Sequence, residues 1–182
     1  SSIIANPMSK KAQKQLNLKI KYRESFRPFA PSIIRDQLNE WFDLDSDSPY
    51  MLMVSRVKKE WRVKSQKKSR DIPINEKINA VRSKIPAVTH IDYSARIQTV
   101  HRDTNKKFYD LIENFYKRSG CPIVVNTSFN VRGEPIVCSP EDAFNCFMGT
   151  GLDILVIENF ILFKDKQDKS LIRDYKNKYQ LD

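Results

Sequence analysis

Two short groups of residues carry chemistry by type and spacing. The first is Lys21-x-Arg23, followed by Glu24 and Arg27. Alternation across "LKIKYRE" (residues 18–24) predicts a half-buried strand, with Lys21 and Arg23 leaving the same face. Two cations side by side repel unless an anion, or an acid such as Glu24, lies between them. The second is "NTSFNVRGEP", Asn126 to Pro135, which follows the apolar run "PIVV". Ser128 and Asn130 share one side of an extended segment, and Arg132 and Glu134 follow. Open α/β sheets place ligands at the carboxyl end of buried strands. A hydroxyl, an amide and a guanidinium there suit a carboxylate, a carbamoyl group or a phosphate. Each group also has a plainer reading. Lys21 and Arg23 could form a solvated face with surface ion pairs. Thr127, Ser128 and Asn130 could satisfy their own backbone in a tight loop turned at Gly133.

Other phosphate-binding solutions are absent. Neither GxxxxGK[ST] nor GxGxxG occurs, and four glycines are too few for a glycine-rich cradle. Any phosphate must therefore be held by side-chain cations, hydroxyls and helix N-termini.

The elements that must position these groups are legible in outline. Ser9 begins a short helix through Leu16, and "SIIRDQLNEWF" (residues 32–42) has helical spacing. "YMLMVSRV" and "ARIQTV" read as strands, with a weak helical pattern around Ile74 to Val81 between them. Asp103 or Thr104 caps an amphipathic helix that turns Phe108, Leu111, Ile112, Phe115 and Tyr116 inward and stops at Gly120. "CPIVVNT" is a strand buried on both faces. Ser139 and Pro140 open a further helix. "LDILVIENFILF" gives one long strand or two short ones, and the last nineteen residues form a surface helix or a frayed tail. Alternating strands and helices predict a single α/β domain around a mixed sheet.

At 182 residues and 40% apolar, the chain can bury a proper core. The net charge of +10 is concentrated: Lys58 to Lys84 holds ten Lys/Arg against three acids. That segment has one aromatic, Trp61, so it lacks the stacking residues of a single-strand binder, and nucleic-acid binding is not expected. Cys121, Cys138 and Cys146 form no CxxC pair, which suits a reducing cytoplasm. No run approaches 18 apolar residues, so no membrane span is expected. His90 and Asp92 have no third ligand at usual spacing, so no metal site is assigned; the histidine reads as a hydrogen-bonded loop residue and His101 as exposed.

Together, Lys21-x-Arg23 and Ser128-x-Asn130 resemble the KxR…SxN tetrad of the YrdC-like fold. The wider context is similar to the C-terminal domain of NodU/CmcH-type O-carbamoyltransferases. The blocks "KYRESFRPFAPS", "SPYM", "IPAVTHIDYSARIQTV", "NTSFNVRGEPIVCSPEDAF" and "TGLD" carry the likeness, in order, from about Leu18 to Leu162. The resemblance implies a YrdC-like twisted mixed sheet with flanking helices over residues 18–164. Residues 1–17 would be a connecting segment from an N-terminal actin/hexokinase-like domain, and residues 165–182 a charged tail. It implies binding of ATP, Mg²⁺ and carbamoyl phosphate, and formation of a carbamoyl-adenylate for transfer to a hydroxyl by that other domain. Lys21, Arg23, Ser128 and Asn130 would be catalytic, with Arg27, Arg96 and Arg132 as further phosphate clamps. Tyr93 and Ser94 depart from the family, which more usually has a small residue and a threonine there. The rival reading is a non-catalytic YrdC-like module that binds RNA or a nucleotide through the basic segment.

Overall fold

The computed structural model describes residues 1–63, 73, 78, 80–175, 178 and 179. They form a mixed α/β fold. A five-stranded sheet has the order β1-β5-β2-β4-β3, with β1 Ser2–Ala5, β2 Ala30–Ile34, β3 Met53–Arg56, β4 Ser94–Val100 and β5 Ile123–Ser128. The chain divides into two compact units, Ile4–Gln13 with Pro28–Thr127, and Ser1–Ile3 with Lys14–Arg27 and Ser128–Asp182.

In the first of these units, β2 runs parallel to β4, with Ser32 opposite Gln98, and antiparallel to β5. β3 pairs antiparallel with β4. All five residues of β2 are buried. Ser32 can lie there because its hydroxyl donates to Gln98 Oε1 at 2.6 Å, and Asn126 Nδ2 donates to the same oxygen at 2.8 Å. The full burial of this strand corrects the expected helix over residues 32–42. Ser32 to Ile34 belong to the sheet, and only the single turn α2, Leu38–Trp41, is α-helical. A continuous apolar run fits a strand buried on both faces as well as it fits a helix.

Helix α3, Lys106–Ser119, packs on this sheet through Tyr109 and Ile112, which meet Ile34, Val100 and Val124. Phe108, Phe115 and Tyr116 flank that cluster as predicted, whereas Leu111 is 44% exposed. The N-cap is Asn105, one or two residues later than expected; its side chain accepts from the Phe108 N–H at 3.3 Å. Gly120 closes the helix at φ +71°, a left-handed conformation that favours glycine.

The other unit holds most of α1 (Ala12–Lys19), together with α4 (Pro140–Gly149) and a hairpin of β6 (Ile154–Ile157) and β7 (Phe160–Phe163). Ser139 caps α4 in a reciprocal box: its hydroxyl accepts from the Asp142 N–H at 3.0 Å, and Asp142 accepts from the Ser139 N–H at 3.1 Å. The predicted strand over residues 18–24 is not formed. The helix runs to Lys19, beyond the expected end at Leu16, and closes with the Lys21 N–H donating to the Leu16 carbonyl at 2.9 Å and Tyr22 at φ 48°. Leu16 and Ile20 are buried, while Leu18, which strand alternation would bury, is 47% exposed. Ala12, Leu16 and Ile20 make a helical stripe four residues apart, and that stripe prevails over the alternating one.

Residues 165–175 contain short 3₁₀ turns rather than a longer helix, and Tyr175 is buried. Most of the pattern around Ile74 to Val81, and much of the Lys58–Lys84 segment, lie outside the described residues.

Candidate functional site

The site is built on the turn that ends α1 and the loop that follows β5. Lys21 is only 6% exposed. Its Nζ donates to the Ser128 carbonyl (2.6 Å) and hydroxyl (3.1 Å), and to the Asn130 carbonyl (2.9 Å) and Oδ1 (2.8 Å). These partners are 107 and 109 residues away in sequence. An ammonium has three hydrogens, so four oxygens share three donors. The Ser128 hydroxyl also donates to Asn130 Oδ1 at 2.6 Å, which closes the group.

Arg23 goes elsewhere. With no strand to carry both side chains on one face, its Nε donates to Asn17 Oδ1 at 2.7 Å. Asn17, fully buried, donates from Nδ2 to the Ser25 and Arg27 carbonyls at 3.2 and 2.8 Å. This amide ties Arg23 to the turn that leads to Arg27. Arg27 itself is exposed and ion-paired with Glu24 at 3.2 Å. Arg132 is half-buried in the same unit; the Glu24 carboxyl is held below its usual value by a backbone hydrogen bond of Glu24 itself, then by the Arg27 charge, with Arg132 a smaller influence. Arg96 is exposed on β4, in the other unit.

Glu134 was included in the polar stretch but given no role by the sequence. It is 8% exposed, and its carboxylate accepts from the Val131 N–H (2.9 Å) and from the phenols of Tyr175 (2.9 Å) and Tyr179 (3.1 Å). Its carbonyl accepts from Asn130 Nδ2 at 2.7 Å. Asn130 thus has its amide nitrogen turned to Glu134 and its amide oxygen to Lys21. The available signal was an acid between Gly133 and Pro135, with Gly133 at φ +76° making the turn.

The electrostatics follow from this enclosure. Burial, then the nearby Arg23 charge, lowers the Lys21 pKa from 10.5 to about 8, while Cys146 and Glu134 pull it upward. Burial, then Glu134, pushes the Cys146 thiol up to about 12, so that it packs as a small neutral side chain. A buried ammonium surrounded by exchangeable oxygens can receive an anion and neutralise it.

Two histidine readings meet different outcomes. His90 Nδ1 lies 3.0 Å from the Ser94 hydroxyl, which donates to Asp92, so it is the hydrogen-bonded loop residue expected. His101 is not simply exposed, since its Nε2 sits 3.5 Å from Asp47. A concavity of about 580 Å³ in that unit, lined by Tyr50, Gln98, Asp103 and Phe108 among others, contains none of the predicted site residues.

Comparison with known proteins gives this geometry a family. The family model described as Carbamoyltransferase C-terminus matches residues 1–164. The chain belongs to this family. An uncharacterized protein of Synechocystis is 51% identical over 179 residues, covering 98% of this chain and 29% of that protein. Nodulation protein NolNO of Sinorhizobium fredii is 39% identical over 166 residues, covering 90% of this chain and 22% of the relative. Nodulation protein U of the same species is 33% identical over 148 residues, covering 81% and 22%. The chain thus spans less than a third of the length of these relatives. All seven residues singled out by sequence lie inside the carbamoyltransferase match, whereas Tyr175 and Tyr179 lie beyond it. Among the described residues, no helix is long and apolar enough to cross a membrane.

Proposed function

We propose that this chain is the carbamoyl-activating domain of an ATP-dependent O-carbamoyltransferase. It would bind ATP and carbamoyl phosphate and form a carbamoyl-adenylate, which a separate N-terminal actin/hexokinase-like domain, in the cytoplasm, transfers to the hydroxyl of a small metabolite or saccharide. One observation carries the reading: the Lys21 ammonium binds Ser128 and Asn130 together, so a cation, a hydroxyl and an amide converge on one point.

In the activation sequence water first cleaves carbamoyl phosphate to carbamate and inorganic phosphate; a carbamate oxygen then bonds to the α-phosphorus of ATP while the bond to pyrophosphate breaks, and pyrophosphate carries away the electron pair. Such a step needs positioning and neutralisation of charge rather than a protein nucleophile. Lys21 and Arg23 hold phosphate oxygens. Ser128 and Asn130 bind the small acyl group, and Arg27 and Arg132 act as further phosphate clamps. A phosphate or carbamate oxygen entering the Lys21 shell would replace one of the four oxygens that share its three hydrogens. Among the described residues, no three His, Cys, Asp or Glu side chains cluster to hold a metal. Mg²⁺ would therefore arrive on the nucleotide, held by phosphates and water as it commonly is.

The test is calorimetric titration of the chain with Mg-ATP and carbamoyl phosphate, together with an assay for pyrophosphate release. Arg23→Ala is expected to abolish ATP binding while leaving the fold intact, the bond to Asn17 being among the contacts it loses. Unchanged affinity in that variant would remove Arg23 from the site. Salt-sensitive RNA binding with no response to ATP would favour the rival module.

A pH dependence follows from Lys21. The free protein loses the Lys21 proton as pH rises through about 8, whereas an anion bound against the ammonium retains it to higher pH. Carbamoyl phosphate affinity should therefore fall by roughly tenfold per pH unit above that value. Binding there should also take up a proton, read as a dependence of the measured enthalpy on buffer. A flat profile from pH 7 to pH 10, on the order of twofold or less, contradicts a charged Lys21 in the complex.

A further inference from the structure

Tyr175 is 3% exposed although it lies in a charged segment beyond the family match. Its ring stands 5.6 Å from that of Tyr179 in an edge-to-face arrangement. It also lies over Gly149, at the end of α4, where a β-carbon would meet Tyr175 ring and Cβ atoms at 2.4–2.6 Å. Only a residue without a side chain admits the tyrosine so closely. Both phenols donate to the same oxygen, Oε1 of Glu134, leaving Oε2 to the Val131 N–H. The carboxylate is thereby held from two sides, by the tail and by its own loop. The Glu134 carbonyl in turn takes Asn130 Nδ2, and this fixes which end of the Asn130 amide faces Lys21.

We propose that Tyr175 and Tyr179 are positioning residues, which orient Asn130 toward Lys21 through the Glu134 carboxylate. Through Tyr175 and Tyr179 the tail is part of the machinery of the site, which it reaches by way of Glu134. This rests on the reading of Ser128 and Asn130 as the acyl-binding pair. If those two and Lys21 bind carbamoyl phosphate while Arg23 binds the nucleotide, loosening Asn130 weakens one substrate selectively.

Two variants reach the same contact by different routes. Tyr175→Phe/Tyr179→Phe keeps the rings and removes the phenols. Gly149→Ala removes no hydrogen-bonding side chain and forces the Tyr175 ring away. Amide hydrogen exchange in the 182-residue chain should then speed up by about tenfold at Val131 and Glu134 and stay unchanged at Ile33 and Ile97 in the sheet. In both variants the dissociation constant for carbamoyl phosphate should rise roughly tenfold while that for Mg-ATP stays within about twofold. Exchange unchanged at Val131, or raised equally across the sheet, overturns the proposal, as does an equal loss of affinity for both ligands. If the unmodified chain binds neither ligand, the acyl-site reading fails. The exchange rates then decide separately whether the tail holds the loop.

Discussion

Lys21→Met loses anion binding by at least about a hundredfold and destabilises the fold by roughly 3 kcal/mol. Both effects have one cause. The substitution keeps much of the stem volume and removes the charged donor to the Asn130 carbonyl and Oδ1 and to the Ser128 carbonyl, which then keeps only the Asn130 N–H at 3.2 Å among the described donors. It also removes the charge that an incoming phosphate would meet. Lys21→Arg should not rescue binding. A planar guanidinium cannot present three hydrogens in a tetrahedral array to a shell closed by four oxygens, and it is larger than the space it would occupy. Denaturant unfolding reads the stability loss, and calorimetry with carbamoyl phosphate reads the binding loss. A Lys21→Met chain that binds within tenfold of the parent, or so, would mean that the ammonium is only a structural tie.

Glu134→Ala is expected to cost about 4 kcal/mol of stability, from two buried donors and one part-buried donor losing their acceptor at about 1–3 kcal/mol each with incomplete additivity. The donors are the Val131 N–H and the two phenols. Glu134→Gln should cost less, since its amide oxygen still accepts on one side, although its NH2 then faces donors on the other. Removing the carboxylate also removes one of the influences that raise the Lys21 pKa, so the pH midpoint of carbamoyl phosphate binding should move below about 8. An Ala variant as stable as the parent, with an unmoved midpoint, would show that the carboxylate neither holds the loop nor acts on Lys21.

The two variants separate what was readable from the chain and what was not. Lys21, Ser128 and Asn130 stood out because their types and spacing suit an anion, and a cation beside a hydroxyl and an amide keeps that chemistry whatever the backbone does. The strand that would carry Lys21 and Arg23 on one face is not formed. Lys21 turns to the loop and Arg23 to Asn17 from a helix-closing turn. Two periodicities overlap in residues 12–24, and local sequence cannot rank them; burial of Ala12, Leu16 and Ile20 decides. The same ambiguity misplaced Ser32 to Ile34, whose neighbours in the sheet come from residues 94–100 and 123–128.

Where the signal was local, the reading and the structure agree. The strands β4 and β5, the Gly120 stop, the Ser139 cap and the paired strands after residue 153 depend on turn residues, caps and alternation within a few positions. The sequence by itself determined the α/β class and the family likeness, and it singled out the candidate site residues Lys21, Ser128 and Asn130. Tertiary structure alone decided that Glu134 is buried beneath two tyrosines 41 and 45 residues away, and that the tail reaches the site. The physical reason is that a carboxylate beside a glycine is equally at home in water. Only the closure of a long loop around it supplies the donors that make its burial favourable.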